Sequence, residues 1–501
     1  MTSLSLLATA LFVSAFGRAV RLDQENRPGH ACYHADIAVS QGISPIIYCA
    51  FEDDSVPFTI VSSDIALQRS TDLGQIWLPE NIIVARGRPF ACYPDLKLSS
   101  DGTLLLVFLD RIDGSRGHVA FTRSSDSGQT WSTPVQVDDN SSFVPMGWAR
   151  LALDSSDNVF CTWTDQRGEN LRVFADVSTD RGETWGTDVR VDDDTVDFNC
   201  YPPDCYVQPG TNHYLVTAVA PVRGPSGIVL HSHFYKSTDR GRSFSPGFQL
   251  DTFHGYSQQP HVVADEGHII TDYGGNGYLN QCVTMARTWF AASDSWGEQV
   301  MVTELDTIYS SFTNGAKLAI DQDSRVHTGL MIAKREEAIW NIYYAQSTDA
   351  GLTWSEREPV SPLPLVQQWD PTIAVDDLGN AYLAWQDMRE SKAEIWFATN
   401  ACTGLAEDAP KSGTNRLQLK VMPWVCRGLA RLQVLAAQTT ESSRLMLSVF
   451  DPAGRRLVSQ PLEDRSPPIS LDLRLPCSGS YLVQVTDGRE TASARILVLK
   501  D

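Results

Sequence analysis

Along most of the chain, apolar and polar residues alternate with a period of two, in short runs broken by turn residues. "PDLKLSSDGTLLLVFLDR" from Pro94, "ARLALDSSDNVFCTWTDQR" from Ala149 and "PTIAVDDLGNAYLAWQDMR" from Pro371 show the pattern. β-Branched and aromatic residues in that alternation predict strands, and "SSDG", "SSDN" and "DLGN" between them predict hairpin turns. Helical periodicity is nearly absent. The unit recurs seven times, beginning near Tyr33, Tyr93, Trp148, Tyr201, Gln259, Gly315 and Trp369. Each repeat reads as strand A, turn, strand B, loop, strand C, a corner and strand D. A four-stranded antiparallel unit recurring about every fifty residues is the mark of a propeller blade. The expected fold is all-β, a seven-bladed β-propeller.

The corner between strands C and D is an octet. It reads "STDLGQIW" at 70–77, "SSDSGQTW" at 124–131, "STDRGETW" at 178–185 and "STDAGLTW" at 347–354. "STDRGRSF" at 237–244 lacks only the indole, and "ASDSWGEQ" at 292–299 is a worn copy. The hydroxyl and carboxylate suit bonding to turn backbone, the glycine suits positive φ, and the indole suits burial between sheets. A structural role is therefore expected for Asp72, Trp77, Asp126, Trp131, Asp180, Trp185, Asp239, Asp349 and Trp354. The last repeat stops at "EIWFATN" with no octet and no strand D. However, "AVRLDQEN" at 19–26 resembles the D strands "PVQVDDN" at 134–140 and "DVRVDDDT" at 188–195. The N-terminal segment is expected to supply the missing outer strand and close the ring.

The ends of the chain differ from this body. Residues 1–18 read as a secretory signal peptide: the apolar run Leu4–Phe16 is too short to span a bilayer, and small residues follow at Val13/Ala15 or Gly17/Ala19. Residues 19–402 form the propeller, and 403–415, small and polar, form a linker. From 416 to 501 the alternating runs "RLMLSVFDPAGRRL" and "GSYLVQVTDGRETASARILVLKD" predict a small C-terminal β-sandwich.

Charge narrows the partners. The net charge is −21, and the acidic excess lies outside residues 416–501, which are mildly basic. Nucleic acid and anionic membrane are excluded as partners of an acidic body. No stretch after the leader could cross a membrane as a helix. The ten cysteines form no CxxC and no zinc spacing, and no metal or cofactor is expected. In an exported protein some would pair, with Cys32–Cys92 and Cys426–Cys477 as the expected bridges. "DDD" at 192–194 and the "DD" pairs at 138–139 and 376–377 read as solvated turns rather than calcium loops. There is no Gly-rich phosphate loop and no G-x-S-x-G.

The octets resemble the Asp-box, or BNR repeat, of sialidase-like propellers, over roughly residues 20–400. Catalytic members of that family clamp a sugar carboxylate with three arginines and use an Asp as acid/base with a Tyr–Glu nucleophile pair. This chain lacks the family's Arg-Ile-Pro, since "GRPF" sets Arg88 directly before Pro89. The family has six blades where this pattern predicts seven. The tail, through "VFDPAGRRL" with Asp451 and Gly454 and through "GSYLVQV", resembles the sorting domain of type IX secretion substrates. That resemblance implies a secreted or cell-surface protein with outer-membrane secretion machinery as a partner.

Topology selects the face. C–D corners share one side of a propeller, so D–A and B–C loops share the other, where ligands bind in the resembling family. At the start of strand A stand Asp36, Asp95, Arg150, Asp204, His261, Lys317 and Thr372, flanked by Tyr33, Tyr93, Trp148, Tyr201 and Trp369. Charged groups beside flat rings suit a sugar, and glycan or glycoprotein is the expected partner. Asp36, Tyr93, Trp148, Asp204, His261, Lys317 and Trp369 are the candidate ligand residues. The same pattern would arise if strand starts merely needed polar residues and the rings sealed blade ends. Arg111, Arg167 and Arg389 end three B strands, each soon after an Asp, and read as internal pairs bracing loops. Exo-α-sialidase activity is the alternative, with Arg150 in the clamp, Asp95 or Asp36 as acid/base and Tyr201 or Tyr93 as nucleophile. A non-catalytic protein-binding or structural surface module is the third.

Overall fold

The computed structural model describes residues 16–17, 19–23, 31–42, 45–54, 63–85, 90–111, 116–142, 144–193, 196–224, 227–252, 256–278, 281–302, 309–312, 317–334, 339–361, 366–390, 392–401 and, in the tail, 417–422, 425–426, 429–436, 446–450, 456–461, 469–474, 479–486 and 491–498. The expected leader apart from Phe16 and Gly17, the linker 403–415, Arg88, Gly315 and Cys477 lie outside the described residues. The chain divides into two compact units, Met1–Ala401 and Cys402–Asp501. Both are all-β, with no α-helix among the described residues.

In the first unit the alternating runs pair as antiparallel hairpins. The strands Ala31–Val39, Ile47–Asp54, Ser63–Ser70 and Ile82–Ala85 form one four-stranded group in that order. Further such groups follow along the described residues, and two of them are joined where Val144 and Pro145 pair with Gly117 and Arg116. Middle strands such as Leu104–Arg111 and Val159–Asp165 are buried on both faces, which explains why they read as nearly continuous apolar runs. The first strand of each group contacts the first strands of its neighbours, and the first group's inner strand contacts the last group's. Among the described residues the result is a β-propeller.

The ring is closed by the N-terminal segment. Val20 and Arg21 pair antiparallel with Phe397 and Trp396 of the last strand, Glu394–Thr399. Leu22 is fully buried behind them. Asp23 Oδ1 accepts the Ile395 N–H (3.2 Å). Asp138, Asp192 and Asp251 make the same bond to Val119, Val173 and Ser232. The shared "V/L-D" at the end of strand D is thus a clamp on strand C, repeated at the seam. Phe16 and Gly17, inside the expected leader, also dock: Phe16 packs edge-on to Tyr344 (5.2 Å), and the Gly17 N–H donates to the Thr399 carbonyl (3.0 Å).

The octets share one geometry. Ser70 Oγ donates to Asp72 Oδ1 (2.8 Å) and accepts the Gly74 N–H (2.9 Å), while Asp72 Oδ1 accepts the Ile76 N–H (2.9 Å). The same three bonds recur from Ser124, Ser178, Ser237 and Ser347. Two successive residues take positive φ in each, as at Arg181 (60°) and Gly182 (82°). The glycine abuts the preceding group: a Cβ on Gly182 would overlap the Phe121 ring, and one on Gly74 the Phe397 ring. The indoles of Trp77, Trp131 and Trp354 donate to the carbonyls of Gly74, Gly128 and Gly351 (3.0, 3.0 and 3.2 Å). Trp77 and Trp185 meet Phe397 and Phe121 edge-on (5.0 and 5.4 Å). The worn copy takes another form. Ser295 and Trp296 pair with Phe290 and Trp289, and Trp296 stacks on Phe248 (5.3 Å).

The second unit contains a three-stranded sheet and a five-stranded sheet, with Leu447, Val449, Val483 and Val485 buried. This is the small β-sandwich. The Cys32–Cys92 bridge is not formed, because Cys92 is a free, buried thiol.

Candidate functional site

Every described inner strand of useful length breaks its ladder near its start. The register shifts immediately before Asp36, Asp95, Arg150, Asp204, His261 and Thr372. A bulge re-aims side chains and favours unusual backbone. Two residues ahead of the shifted position, His34, Tyr93, Gln259 and Asp370 all hold positive φ (45°, 54°, 33° and 47°). Non-glycine residues rarely do so, and clusters of them mark functional surfaces. All four line one cavity of about 80 Å³, with Trp148, Arg150 and Lys317. The cavity lies at the start of the inner strands, on the side away from the octets.

Aromatic faces and charges alternate around this mouth. His34, Tyr93 and Trp148 form a row with ring centroids 4.3 and 4.6 Å apart. His34 Nδ1 lies 2.9 Å from Glu52 Oε1, which also accepts the Tyr93 N–H (2.6 Å), and His34 Nε2 lies 4.0 Å from Asp370. Burial lowers the His34 pKa, but the flanking Glu52 and then Asp370 carboxylates outweigh it and leave the imidazole above its ordinary value. Burial raises the Asp370 carboxyl against the opposing pull of His34. Asp370 is held by Gln386 Nε2 (2.6 Å). Arg150 differs from the other charges. Its guanidinium reaches its own strand at the Ala149 carbonyl (3.4 Å) and lies 3.9 Å from Asp95 Oδ1. Its side chain is 16% exposed, at the cavity wall. Arg150 thus brings a fork of N–H donors to the cavity wall.

Below the mouth the inner-strand charges close on one another. Lys317 Nζ binds Asp36 (2.9 Å) and Asp95, and Lys97 Nζ binds Asp95 Oδ2 (2.9 Å). Burial pushes the Asp95 carboxyl up, yet Lys317, Lys97 and Arg150 together hold it well below the usual carboxylate range. The carboxylates also join neighbouring groups. Asp36 accepts the Leu96 N–H (2.7 Å), Asp95 the Leu151 N–H (2.9 Å) and Asp204 the Val262 N–H (3.2 Å). Each N–H belongs to the residue just after the shifted position on the next inner strand. Thr372 Oγ1 donates to Asp36 Oδ1 (2.9 Å). A second cavity of about 230 Å³ lies along the inner strands beyond this ionic waist.

No family model matches the sequence, and no curated protein matches it. Among solved structures, a protein of unknown function from Dyadobacter fermentans is 12% identical, with a TM-score of 0.48 over 76% of this chain and 97% of that one. The α-L-arabinofuranosidase of Fusarium graminearum, solved with arabinobiose, is 12% identical, with a TM-score of 0.46 over 77% of this chain and 98% of that one. A Hadza microbial sialidase is 11% identical, with a TM-score of 0.43 over 76% and 94%. Similarity of this degree assigns no activity, and the chemistry rests on this chain's own residues.

The residues singled out by the sequence separate in the fold. Asp36, Tyr93, Trp148, Arg150 and Lys317 line the mouth. Asp204 lines the inner cavity, while Asp95 is fully buried in the waist. Tyr201, 37% exposed, lies on a shelf beyond Trp148. His261 is buried against Asp272 (2.8 Å), and Trp369 packs against the core of the last group. Arg167 and Arg389 are held by Asp165 and Asp387 at the ends of their own B strands. They also lie over Phe174 and Trp396 (4.1 and 3.4 Å). Arg111 lies over the Tyr93 ring (5.3 Å). His34, Glu52, Gln259 and Asp370 escaped sequence selection. The signal for His34, Gln259 and Asp370 is the step "x-Pro/Ala-x" ahead of the shifted residue: His34-Ala35-Asp36, Tyr93-Pro94-Asp95, Trp148-Ala149-Arg150, Gln259-Pro260-His261 and Asp370-Pro371-Thr372.

Proposed function

We propose that the propeller binds a glycan at the mouth opposite the octets. The observation that carries this reading is the pairing of the Tyr93–Trp148 rings with the Arg150 guanidinium in one cavity. Sugar C–H faces stack on such rings, and hydroxyl or carboxylate oxygens take the guanidinium donors. The test is a glycan array probed with the purified full chain and with Trp148→Ala/Arg150→Ala. Binding by the wild type and its loss in the folded double variant are expected. A folded double variant that keeps the wild-type profile overturns the site.

In this reading the octets are Asp-boxes with a purely mechanical role, and sialoside cleavage is not the activity. Asp95 is clamped as an anion, so it is a poor acid/base. Arg167 and Arg389 are engaged by their own aspartates, so neither joins Arg150 in a carboxylate clamp of that kind. No turnover of a fluorogenic sialoside is expected, and turnover would overturn this part. We further propose that the chain is exported, and that the tail unit serves as a sorting domain. Cleavage after Ala15 would preserve the docked Phe16 and Gly17, so N-terminal sequencing of the mature protein should begin at Phe16.

A further inference from the structure

The mouth does not end at Trp148. A shallow cavity of about 310 Å³ adjoins it and shares Trp148 and Gln259 with it. Beyond the shared pair it is walled by Tyr201, Pro202, Tyr256 and Gln258. None of its lining residues carries a charge, in contrast to the mouth with His34, Arg150, Lys317 and Asp370. Tyr256 is 57% exposed and Tyr201 37% exposed, so two phenol rings face solvent beside the Trp148 indole. In a chain with net charge −21, an uncharged aromatic shelf continuous with a polar pocket is a local exception.

We infer that the site takes an oligosaccharide rather than a single sugar, with one residue in the charged mouth and the chain crossing Trp148 onto the Tyr201–Tyr256 shelf. This rests on the mouth being a glycan site. The occupant follows from continuity. The mouth has room for little more than one ring. A glycosidic chain leaving it past Trp148 arrives at flat apolar faces with the Gln258 and Gln259 amides within the same lining. Such faces match the C–H sides of pyranose rings, and amides match their hydroxyls. A protein partner would call for a larger apolar area and would not need the charged pocket at one end.

The experiment is calorimetric titration of the full chain with mono-, di- and tetrasaccharides of the best ligand found on the array, repeated with Tyr256→Ala and Tyr201→Ala. The wild type is expected to bind the tetrasaccharide at least tenfold more tightly than the monosaccharide. In Tyr256→Ala that gain should shrink about fivefold or more while monosaccharide affinity stays within twofold. Equal affinity for all lengths, or an equal loss for all lengths in folded Tyr256→Ala, overturns the inference and leaves the mouth reading standing. If no array glycan binds the wild type, the mouth reading itself fails, and the inference falls with it.

Discussion

Individual side chains in this propeller separate into those that hold it and those that face a ligand. Asp95 belongs to the first kind. It is buried, bonded to the next inner strand and surrounded by Lys317, Lys97 and Arg150. Asp95→Asn should leave buried cations without a counter-charge and lower stability by about 3 kcal/mol or more in denaturant titration, a loss a purely catalytic residue would not give. Gly182 is of the same kind. Gly182→Ala adds a methyl at φ 82° against the buried Phe121 ring and should cost about 2–4 kcal/mol, read the same way. The octet residues were legible because their bonds are local: Ser178, Asp180 and Gly182 meet within one turn. The mouth was only half legible. Tyr33, Tyr201 and Trp369 look equivalent to Tyr93 and Trp148 in the sequence but stand one residue earlier relative to the register shift. A one-residue offset across a bulge sends a ring to a different wall, and so Trp369 went to the core and Tyr201 to the shelf.

Strands were easier to read than the contacts between them. Period-two alternation located the hairpins, and the likeness of "AVRLDQEN" to other D strands located the closing one, because both are patterns within a short stretch of sequence. What alternation does not carry is which charge meets which across the ring, as when Lys317 reaches Asp36 and Asp95. The closing seam has a pH signature of its own. Glu394 is fully buried, and burial together with Asp23 raises its pKa to about 7 in spite of Arg21. A carboxyl raised on folding contributes stability that is complete below its unfolded pKa and is lost as pH rises through the folded value. Thermal unfolding of the wild type should therefore lose a component of Tm between about pH 4.5 and 7 that Glu394→Gln lacks.

Taken as a ring, the first unit depends on residues at its two ends meeting. Removing residues 1–23 would leave the strand Glu394–Thr399 without its outer partner and uncover Leu22's site. An exposed edge strand invites pairing with other chains. The truncated chain should unfold at lower denaturant and show concentration-dependent light scattering, while the full chain does not.

That seam also sets an order of events on the ribosome. Val20 and Arg21 are made before the propeller strands that follow them, yet their partners Trp396 and Phe397 emerge only after nearly the entire propeller. At roughly 5–20 residues per second, the opening segment waits on the order of tens of seconds for its mate. Whatever accompanies the nascent chain through that interval must guard a sticky β-edge at the beginning, and release it only when the final hairpin arrives.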